Sequence, residues 1–320
     1  MRVAVIGAGG TGGYFGGLLA RAGHDVTFVA RGAHLDTIRS RGLTVHSRLA
    51  GDFMVRVAAT DDIDAIGPAD LVLVCVKTYS MDGVLPLLPA VVGPKTMIGS
   101  MQNGIDNEDR IAAVTGPEAV LGMVAQVSSF IRGPGVIDQM AGPGKLIFGE
   151  MAGGESARTT ALLKTFQEAG IAAELRPNIR VALWEKFIFI CAASGVTALT
   201  RLPAGTIFGD PETALLVRST LEEGVAVARA QSVAIAGGFV EQTLGFMRKL
   251  EPWARGSMAQ DLLEGRPLEL DTLNGTMVRL GRAREVPVPV NWCIYAALRP
   301  FAHGAPDLPK PPGRDASTPA

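Results

Sequence analysis

The stretch RVAVIGAGGTGGYFGGLLARAG, residues 2–23, decides the fold of the chain. Its first five residues form a short, mostly β-branched run that is typical of a strand, and this run ends on a series of glycines. The residues that follow have apolar side chains at helical spacing, and Gly23 then supplies a stop signal. The sequence therefore predicts a strand, a glycine turn and a helix.

The glycine turn has the GxGxxG spacing of a dinucleotide-binding loop. In such loops the first glycine permits a tight turn, the second lets the backbone approach a diphosphate, and the third lets the helix pack closely on the strand. The diphosphate then rests on the helix N-terminus. A plain glycine-rich turn is the alternative, but the placement between strand and helix favours a cofactor site. We expect the cofactor to contact the six residues of the loop: Gly7, Ala8, Gly9, Gly10, Thr11 and Gly12.

The second predicted strand, residues 25–31, indicates which dinucleotide is bound. It ends in Ala30 and Arg31, with no carboxylate to bind the ribose 2′-hydroxyl of NAD. A guanidinium in that place can bind a 2′-phosphate with two hydrogen bonds, which favours NADP(H). The alternative is that Arg31 only faces solvent.

Short strands and helices alternate through the first half of the chain. Strands are predicted at residues 71–77 and 96–104, and the alternation is typical of right-handed βαβ units in an open, doubly wound Rossmann-type sheet. Residues 120–149 instead contain strand-like pieces separated by Gly-Pro turns, which indicates an antiparallel extension of that sheet. A helix over residues 156–169 and a short strand close this domain.

After Pro177 the strand patterns give way to long helical ones. Helices are predicted over residues 178–194, 211–231, 239–249, 268–284 and 291–301. The expected organisation is an α/β NADP-binding domain at 1–176 and an all-α substrate domain at 177–303. The remaining residues, 304–320, contain five prolines and are expected to be a disordered tail.

The composition excludes several classes of protein. The 320 residues are 48% hydrophobic and 19% charged, which is too apolar for intrinsic disorder. Lys and Arg number 30 against 31 Asp and Glu, so no overall charge attracts nucleic acid or an anionic membrane. The three cysteines are far apart and lack zinc-ligand spacing, which argues against disulfides and a metal site and favours the cytoplasm.

Two polar residues end predicted parallel strands, and a lysine lies in an apolar helix. Lys77 and Asn103 are expected at the carboxyl edge of the sheet, where ligands bind in such folds.

Lys186 lies in the most apolar window of the chain, residues 181–200, and the charges of Lys186 and Glu185 disfavour a membrane span there. Burial lowers the pKa of a lysine toward the range in which it donates a proton. An exposed Glu185–Lys186 pair is the alternative, and periodicity does not decide between them.

Taken in order, these motifs resemble the 2-dehydropantoate 2-reductase (ketopantoate reductase) family from residue 1 to about residue 301. The motifs that carry the resemblance are GAGGTG at 7–12 with Arg31, VK at 76–77, NG at 103–104, LWEK at 183–186, SM..D at 257–261 and E.D..NG at 269–275. The resemblance implies a Rossmann domain, a helical domain like that of 6-phosphogluconate dehydrogenase, and NADPH-dependent reduction of ketopantoate to pantoate in pantothenate synthesis.

The resemblance also implies roles for individual residues. Lys186 is similar to the proton donor, and Glu269 to a carboxylate that positions the substrate, helps tune that lysine and borders the cofactor. Lys77 and Asn103 resemble the residues beside the nicotinamide, with Asn103 also bordering the substrate. Ser257 resembles a substrate-binding hydroxyl.

The sequence departs from the family at two positions. Asparagines usually lie four and eight residues after the catalytic lysine, and here those positions are Ile190 and Ser194. Both are expected to border the substrate, so the pocket has lost amide groups, and such groups discriminate strongly between polar substrates. Ile190 packed in the helical core is the alternative.

The sequence therefore predicts an NADPH-dependent ketopantoate reductase that acts on a small 2-oxo acid, with a homodimer possible. Two alternatives stay open: a reductase of the same family that acts on another 2-oxo acid or ketone, and a non-catalytic NADP(H)-binding regulator.

Overall fold

The computed structural model of the chain describes residues 1–307. Its internal contacts separate two units, Met1–Phe189 with Ala228–Ala236, and Ile190–Val227 with the described residues from Gly237 onward. The division falls inside one helix, so Lys186 groups with the first unit, whereas the boundary expected at residue 177 would group it with the second. The predicted tail, 304–320, lies mostly outside the described residues.

The first unit is built on a ten-stranded mixed sheet. The strands are β1 (Arg2–Ile6), β2 (Asp25–Val29), β3 (Leu43–Ser47), β4 (Phe53–Val55), β5 (Ala58–Thr60), β6 (Leu71–Val74), β7 (Met97–Ser100), β8 (Val120–Gly133), β9 (Val136–Glu150) and β10 (Ala172–Leu175). They lie in the order β4-β3-β9-β8-β7-β6-β1-β2-β5, and β10 pairs with β9. From β8 to β5 all neighbours are parallel, whereas β8 and β9 are antiparallel, so the predicted antiparallel extension is confirmed.

Alternation along β1 shows why this sheet is covered on both faces. Val3 and Val5 pack into one apolar cluster, while Ala4 and Ile6 pack into the other. Side chains alternate between the faces of a strand, so a strand that is apolar throughout needs a layer on each side. The helices of this unit are α1 (Gly10–Arg21), α2 (Gly32–Arg41), α3 (Met81–Val84), α4 (Asn107–Thr115), α5 (Ala157–Glu168) and the first half of α6 (Ile179–Thr200).

One predicted turn is wrong. The Gly-Pro pair at residues 142–143 was expected to separate two strands, yet β9 continues through it. Between the pairs Gln126–Lys145 and Ser128–Ala141 the register shifts, with three residues of β9 opposite one of β8. Gly142 and Gly144 have φ values of +79° and +59°, in the left-handed region that glycine adopts readily. They let the strand bulge without reversing.

The second unit is helical in the part of the chain that the structure describes. Besides the end of α6 it contains most of α8 (Pro211–Ala230) and all of α7 (Ala204–Gly209), α9 (Phe239–Met247), α10 (Ser257–Leu263), α11 (Thr276–Ala283) and α12 (Pro289–Leu298). A π-helical turn, Asp271–Gly275, replaces the start of the helix predicted at 268–284. Helix α6 is long and apolar enough to cross a membrane, but 67% of its most apolar window is buried, which is typical of a core helix.

Candidate functional site

The glycine loop between β1 and α1 has the geometry that its spacing predicts. Gly7 has a φ of +109°, and a Cβ there would lie 2.8 Å from the backbone nitrogen of Val76. A Cβ on Gly12 would lie 2.1 Å from the carbonyl oxygen of Gly7 and 2.9 Å from Cβ of Cys75. The first and third glycines are therefore required by the turn and by the packing of α1 on β1 and β6.

Gly9 differs from the other two glycines of the motif. Apart from Gly9 and its two chain neighbours, no heavy atom of residues 1–307 lies within 4 Å of the position that a Cβ on Gly9 would occupy. Gly9 is also the N-cap of α1, a helix of 12 residues whose N-terminal amides carry partial positive charge. This open space beside a helix N-terminus fits the diphosphate of a dinucleotide.

Arg31 follows β2 at the same edge of the sheet. The backbone amides of Gly7 and Ala8 both donate to the carbonyl oxygen of Val29, at 3.1 Å each, so the end of β2 lies against the glycine loop. Arg31 is the exposed N-cap of α2. No acidic residue lies between Val29 and Arg31 that would repel a 2′-phosphate.

Lys77 and Asn103 follow neighbouring parallel strands, as the sequence predicts. Both are half-buried and come shortly after β6 and β7, which pair from Leu71–Met97 to Val74–Ser100. The two strand ends are tied together because the side-chain amide of Gln102 donates to the carbonyl oxygen of Val76 at 2.7 Å. Since β6 also pairs with β1, both residues lie at the edge that holds the glycine loop.

Lys186 is held against β8. Its Nζ donates to the carbonyl oxygen of Ala125 at 2.7 Å, and the side chain is half-buried. One turn earlier, Ala182 and Leu183 pack with Val124 in an apolar cluster. The ammonium therefore has a defined position, unlike the exposed pair that the sequence left as an alternative.

Glu108 is a buried carboxyl group that no pattern in the sequence indicates. The residue is 3% exposed, in the first turn of α4, and burial raises its pKa to about 8. The carboxylates of Asp109 and Asp106 raise it further, whereas its own backbone amide and the Lys186 ammonium oppose the shift. An acidic residue in a first helical turn is ordinarily exposed and favoured by the helix dipole, so its sequence position carries no sign of burial.

The remaining predicted residues lie in the second unit. Glu269 is 6% exposed and precedes the π-helical turn, and Ser257 is the exposed first residue of α10. Ile190 is half-buried, whereas Ser194 is fully buried, and a Cβ on Gly256 would lie 2.4 Å from its Oγ. The Ser194 hydroxyl therefore faces the protein interior and has no hydrogen-bond partner among residues 1–307.

Comparison with known proteins supports one family along nearly the whole chain. The models described as ketopantoate reductase PanE/ApbA and as its C-terminal part match residues 3–153 and 178–302. A 2-dehydropantoate 2-reductase from Mesorhizobium japonicum is 31% identical, over 94% of this chain and 98% of the relative. The chain belongs to the ketopantoate reductase family.

Solved structures of ketopantoate reductases agree with this assignment. A PanE/ApbA family ketopantoate reductase from Ralstonia eutropha JMP134 has a TM-score of 0.87 and 34% identity, covering 94% of this chain and 98% of that one. A 2-dehydropantoate 2-reductase from Geobacter metallireducens GS-15 has a TM-score of 0.87 and 33% identity, covering 93% and 99%.

Family membership confirms the predicted fold class and the predicted class of enzyme. The chain is an oxidoreductase with ketopantoate reductase or related 2-oxo acid reductase activity, and the family uses a nicotinamide cofactor. The ketopantoate reductase reaction belongs to pantothenate biosynthesis. A non-catalytic regulator is not favoured.

Proposed function

We propose that the chain reduces ketopantoate to pantoate with NADPH, and that Lys186 donates the proton. The observation that carries the proposal is the open space at Gly9, beside a helix N-terminus and at the edge of the sheet where Arg31, Lys77 and Asn103 also lie. A dinucleotide bound there has its diphosphate on α1 and its 2′-phosphate near Arg31.

Different residues at this edge of the sheet are proposed to bind different parts of the cofactor. The backbone of residues 7–12 would accommodate the diphosphate, and the Arg31 guanidinium would hold the 2′-phosphate through charge-assisted hydrogen bonds. Lys77, Asn103 and Glu269 are proposed to border the nicotinamide end. The chemistry that a bound nicotinamide supplies is hydride transfer to the carbonyl carbon of the 2-oxo acid.

Lys186 supplies the proton that balances the hydride. Reduction of the carbonyl leaves an alkoxide oxygen, and transfer of a proton from Nζ to this oxygen gives the hydroxyl product and a neutral amine. Water then returns the proton to Nζ. The hydrogen bond from Nζ to the carbonyl oxygen of Ala125 fixes the position of the donor, and a fixed donor avoids the entropy loss of orienting a free one.

The proposed substrate residues are Asn103, Lys186, Ile190, Ser257 and Glu269, whereas Ser194, which the sequence also predicts to border the substrate, is fully buried. One observation among them favours a second candidate, a 2-oxo acid that is less polar than ketopantoate. Ile190 is half-buried and apolar, one helical turn after Lys186, and the Ser194 hydroxyl is enclosed by the protein. Neither residue offers an amide to the hydroxyl of ketopantoate.

Turnover measurements test both candidates. The purified protein is assayed for loss of NADPH absorbance with ketopantoate and with a panel of other 2-oxo acids at a fixed NADPH concentration. The highest kcat/KM with ketopantoate supports the main proposal, and a higher value with a less polar acid supports the second. An absence of turnover with every 2-oxo acid would contradict both.

We also propose that the enzyme works in the cytoplasm as a homodimer. All three cysteines are free thiols, which suits a reducing compartment.

The surface of the second unit supports the homodimer. Several of its large apolar side chains are more than half exposed, as at subunit interfaces: Leu215, Phe246, Trp253 and Trp292. Light scattering coupled to size exclusion should give twice the chain mass of 33.5 kDa, and a monomer mass would exclude the dimer.

A further inference from the structure

His34 joins two segments that are far apart in sequence. Its Nε2 lies 2.8 Å from the carbonyl oxygen of Ala8, in the glycine loop. Its Nδ1 lies 3.0 Å from the backbone nitrogen of Gly135, in the turn between β8 and β9. The ring is half-buried and stands in the first turn of α2, three residues after Arg31.

These two contacts fix the state of the ring. A backbone amide only donates, so Nδ1 must accept from Gly135 and carries no proton. A carbonyl oxygen only accepts, so Nε2 must carry the proton and donate to Ala8. The ring is therefore neutral with its proton on Nε2. Burial lowers the pKa of His34, which favours the same neutral form, although the Ala8 carbonyl partly opposes the shift.

The segments joined by His34 surround the start of α1. A Cβ on Gly10 would lie 2.1 Å from the carbonyl oxygen of Ser129 in β8, so the hairpin of β8 and β9 runs directly against this helix. The turn of the hairpin is itself anchored to β3, because the Thr44 amide donates to the carbonyl oxygen of Gly135 at 2.9 Å. His34 thus links the glycine loop to a segment that is fixed elsewhere in the sheet.

We propose that His34 is a positioning residue for the dinucleotide site. By tying Ala8 to the hairpin turn, the neutral ring holds the glycine loop in the conformation that leaves Gly9 open. A loop ordered before binding loses less entropy when the diphosphate arrives, so affinity for the cofactor depends on this link. The inference rests on the proposed function, in which the cofactor lies on the glycine loop.

Three variants separate the two hydrogen bonds. His34→Gln places an amide nitrogen near the position of Nε2 and keeps the donor to Ala8. His34→Asn places an oxygen near Nδ1 and keeps only the acceptor for Gly135, and His34→Ala removes both. Ser40→Ala is the matched control, because its hydroxyl is exposed on the same helix and donates only to carbonyl oxygens of α2, those of Asp36 and Thr37.

The measurements are the Kd for NADPH by titration and the steady-state constants for both substrates. We expect His34→Ala to raise the Kd and KM for NADPH about tenfold, as for the loss of a hydrogen bond that orders the site. The kcat at saturating NADPH and the KM for ketopantoate should stay near their original values. His34→Gln should recover most of the affinity, His34→Asn little of it, and Ser40→Ala should match the unmodified protein.

Two results would overturn the inference: an unchanged Kd in His34→Ala, or an equal loss of affinity in His34→Gln and His34→Asn. If His34→Ala does not fold, the comparison of the Gln and Asn variants decides alone. Failure of the proposed function has a different signature, because the unmodified protein would then fail to bind NADPH or would bind it without reducing any 2-oxo acid. If the unmodified protein and the His34→Ala variant bind NADPH equally well, and binding depends on Arg31, only the proposed role of His34 is refuted.

Discussion

Arg31 is the residue on which the choice between NADPH and NADH depends. Arg31 is a cationic residue two positions after β2, and the end of this strand lies against the glycine loop. We expect Arg31→Ala to weaken NADPH binding about tenfold or more, and to leave NADH binding nearly unchanged, because only NADPH carries the 2′-phosphate. Titration with both cofactors measures this, and Arg41→Ala at the end of α2 is the control. Equal affinities of the unmodified protein for NADPH and NADH would contradict the assignment.

Lys186 carries the proposed proton transfer. We expect Lys186→Ala to lower kcat by about 10²- to 10⁴-fold, as when a general acid is lost, with little change in the Kd for NADPH. Lys186→Arg should be similarly slow, because a guanidinium keeps the charge but does not give up its proton. Steady-state kinetics and cofactor titration measure both effects. A normal kcat in either variant would move the role of donor to another residue, with Lys77 the next to test.

Substitution of Ile190 tests whether this residue borders the bound substrate. If it borders ketopantoate, Ile190→Asn should lower the KM about threefold to tenfold by pairing a polar group that is otherwise unsatisfied. If it packs in the helical core, the same substitution buries an amide, lowers the melting temperature and leaves the KM unimproved. Kinetics and thermal unfolding of one variant therefore separate the two interpretations.

At the scale of the element, two substitutions in the glycine loop should separate an effect on folding from an effect on cofactor binding. Gly9→Ala places a methyl group in open space, so we expect a melting temperature close to the original but NADPH affinity reduced about tenfold or more by obstruction of the diphosphate. Gly12→Ala places it 2.1 Å from the Gly7 carbonyl oxygen, and we expect a lower melting temperature even without cofactor. Thermal unfolding with and without NADPH distinguishes them. Equal effects of the two substitutions on melting would contradict this division.

Elements with strong local signals could be predicted from the sequence, and those fixed by distant partners could not. The strands and glycines around α1 have a local pattern, and the structure places them as expected. Strands β4 and β5 have three residues each, which is too short for a clear alternation. The Gly-Pro-Gly segment at 142–144 has the composition of a turn, yet β8 on one side and β10 beyond it keep it in a strand.

The same limit applies to the site. The proposed roles of Gly7, Gly9 and Arg31 follow from a spacing that is visible in the sequence. His34 and Glu108 depend on what surrounds them: the partners of His34 are backbone atoms 26 and 101 residues away, and Glu108 is an ordinary first-turn acid except for its burial. No pattern in a single sequence indicates contacts of that kind.

At the scale of the whole molecule, the buried Glu108 carboxyl and the half-buried His34 ring make stability depend on pH in opposite senses. Folded Glu108 keeps its proton up to about pH 8, whereas the unfolded chain releases it near the ordinary pKa of 4.5. The folded state therefore binds more protons in that range, and the free energy of unfolding falls as pH rises through it. The lowered pKa of His34 acts in the opposite sense, so stability also falls as pH drops below the ordinary value of 6.5.

Glu108→Gln should remove the first of these effects. Relative to the unmodified protein, we expect the variant to gain about 1 to 3 kcal/mol between about pH 5 and pH 8. Thermal unfolding across this range measures the gain, and His34→Gln serves as the comparison because it should alter only the acidic side. A constant difference between Glu108→Gln and the unmodified protein at every pH would contradict the assignment.

The position of β9 determines the order in which a newly made chain can fold. Strand β3 pairs with residues 136–139 of β9, and the buried Ser47 hydroxyl donates to the Gln139 side chain at 2.9 Å, across 92 residues of chain. A nascent chain that has left the ribosome only as far as β7 therefore still lacks the strand that covers β3. Strand β10 and residues 228–236 complete the first unit later still. Until β9 is made, the edge of β3 that pairs with it is exposed to chaperones, and the first unit is finished only after synthesis of the second has begun.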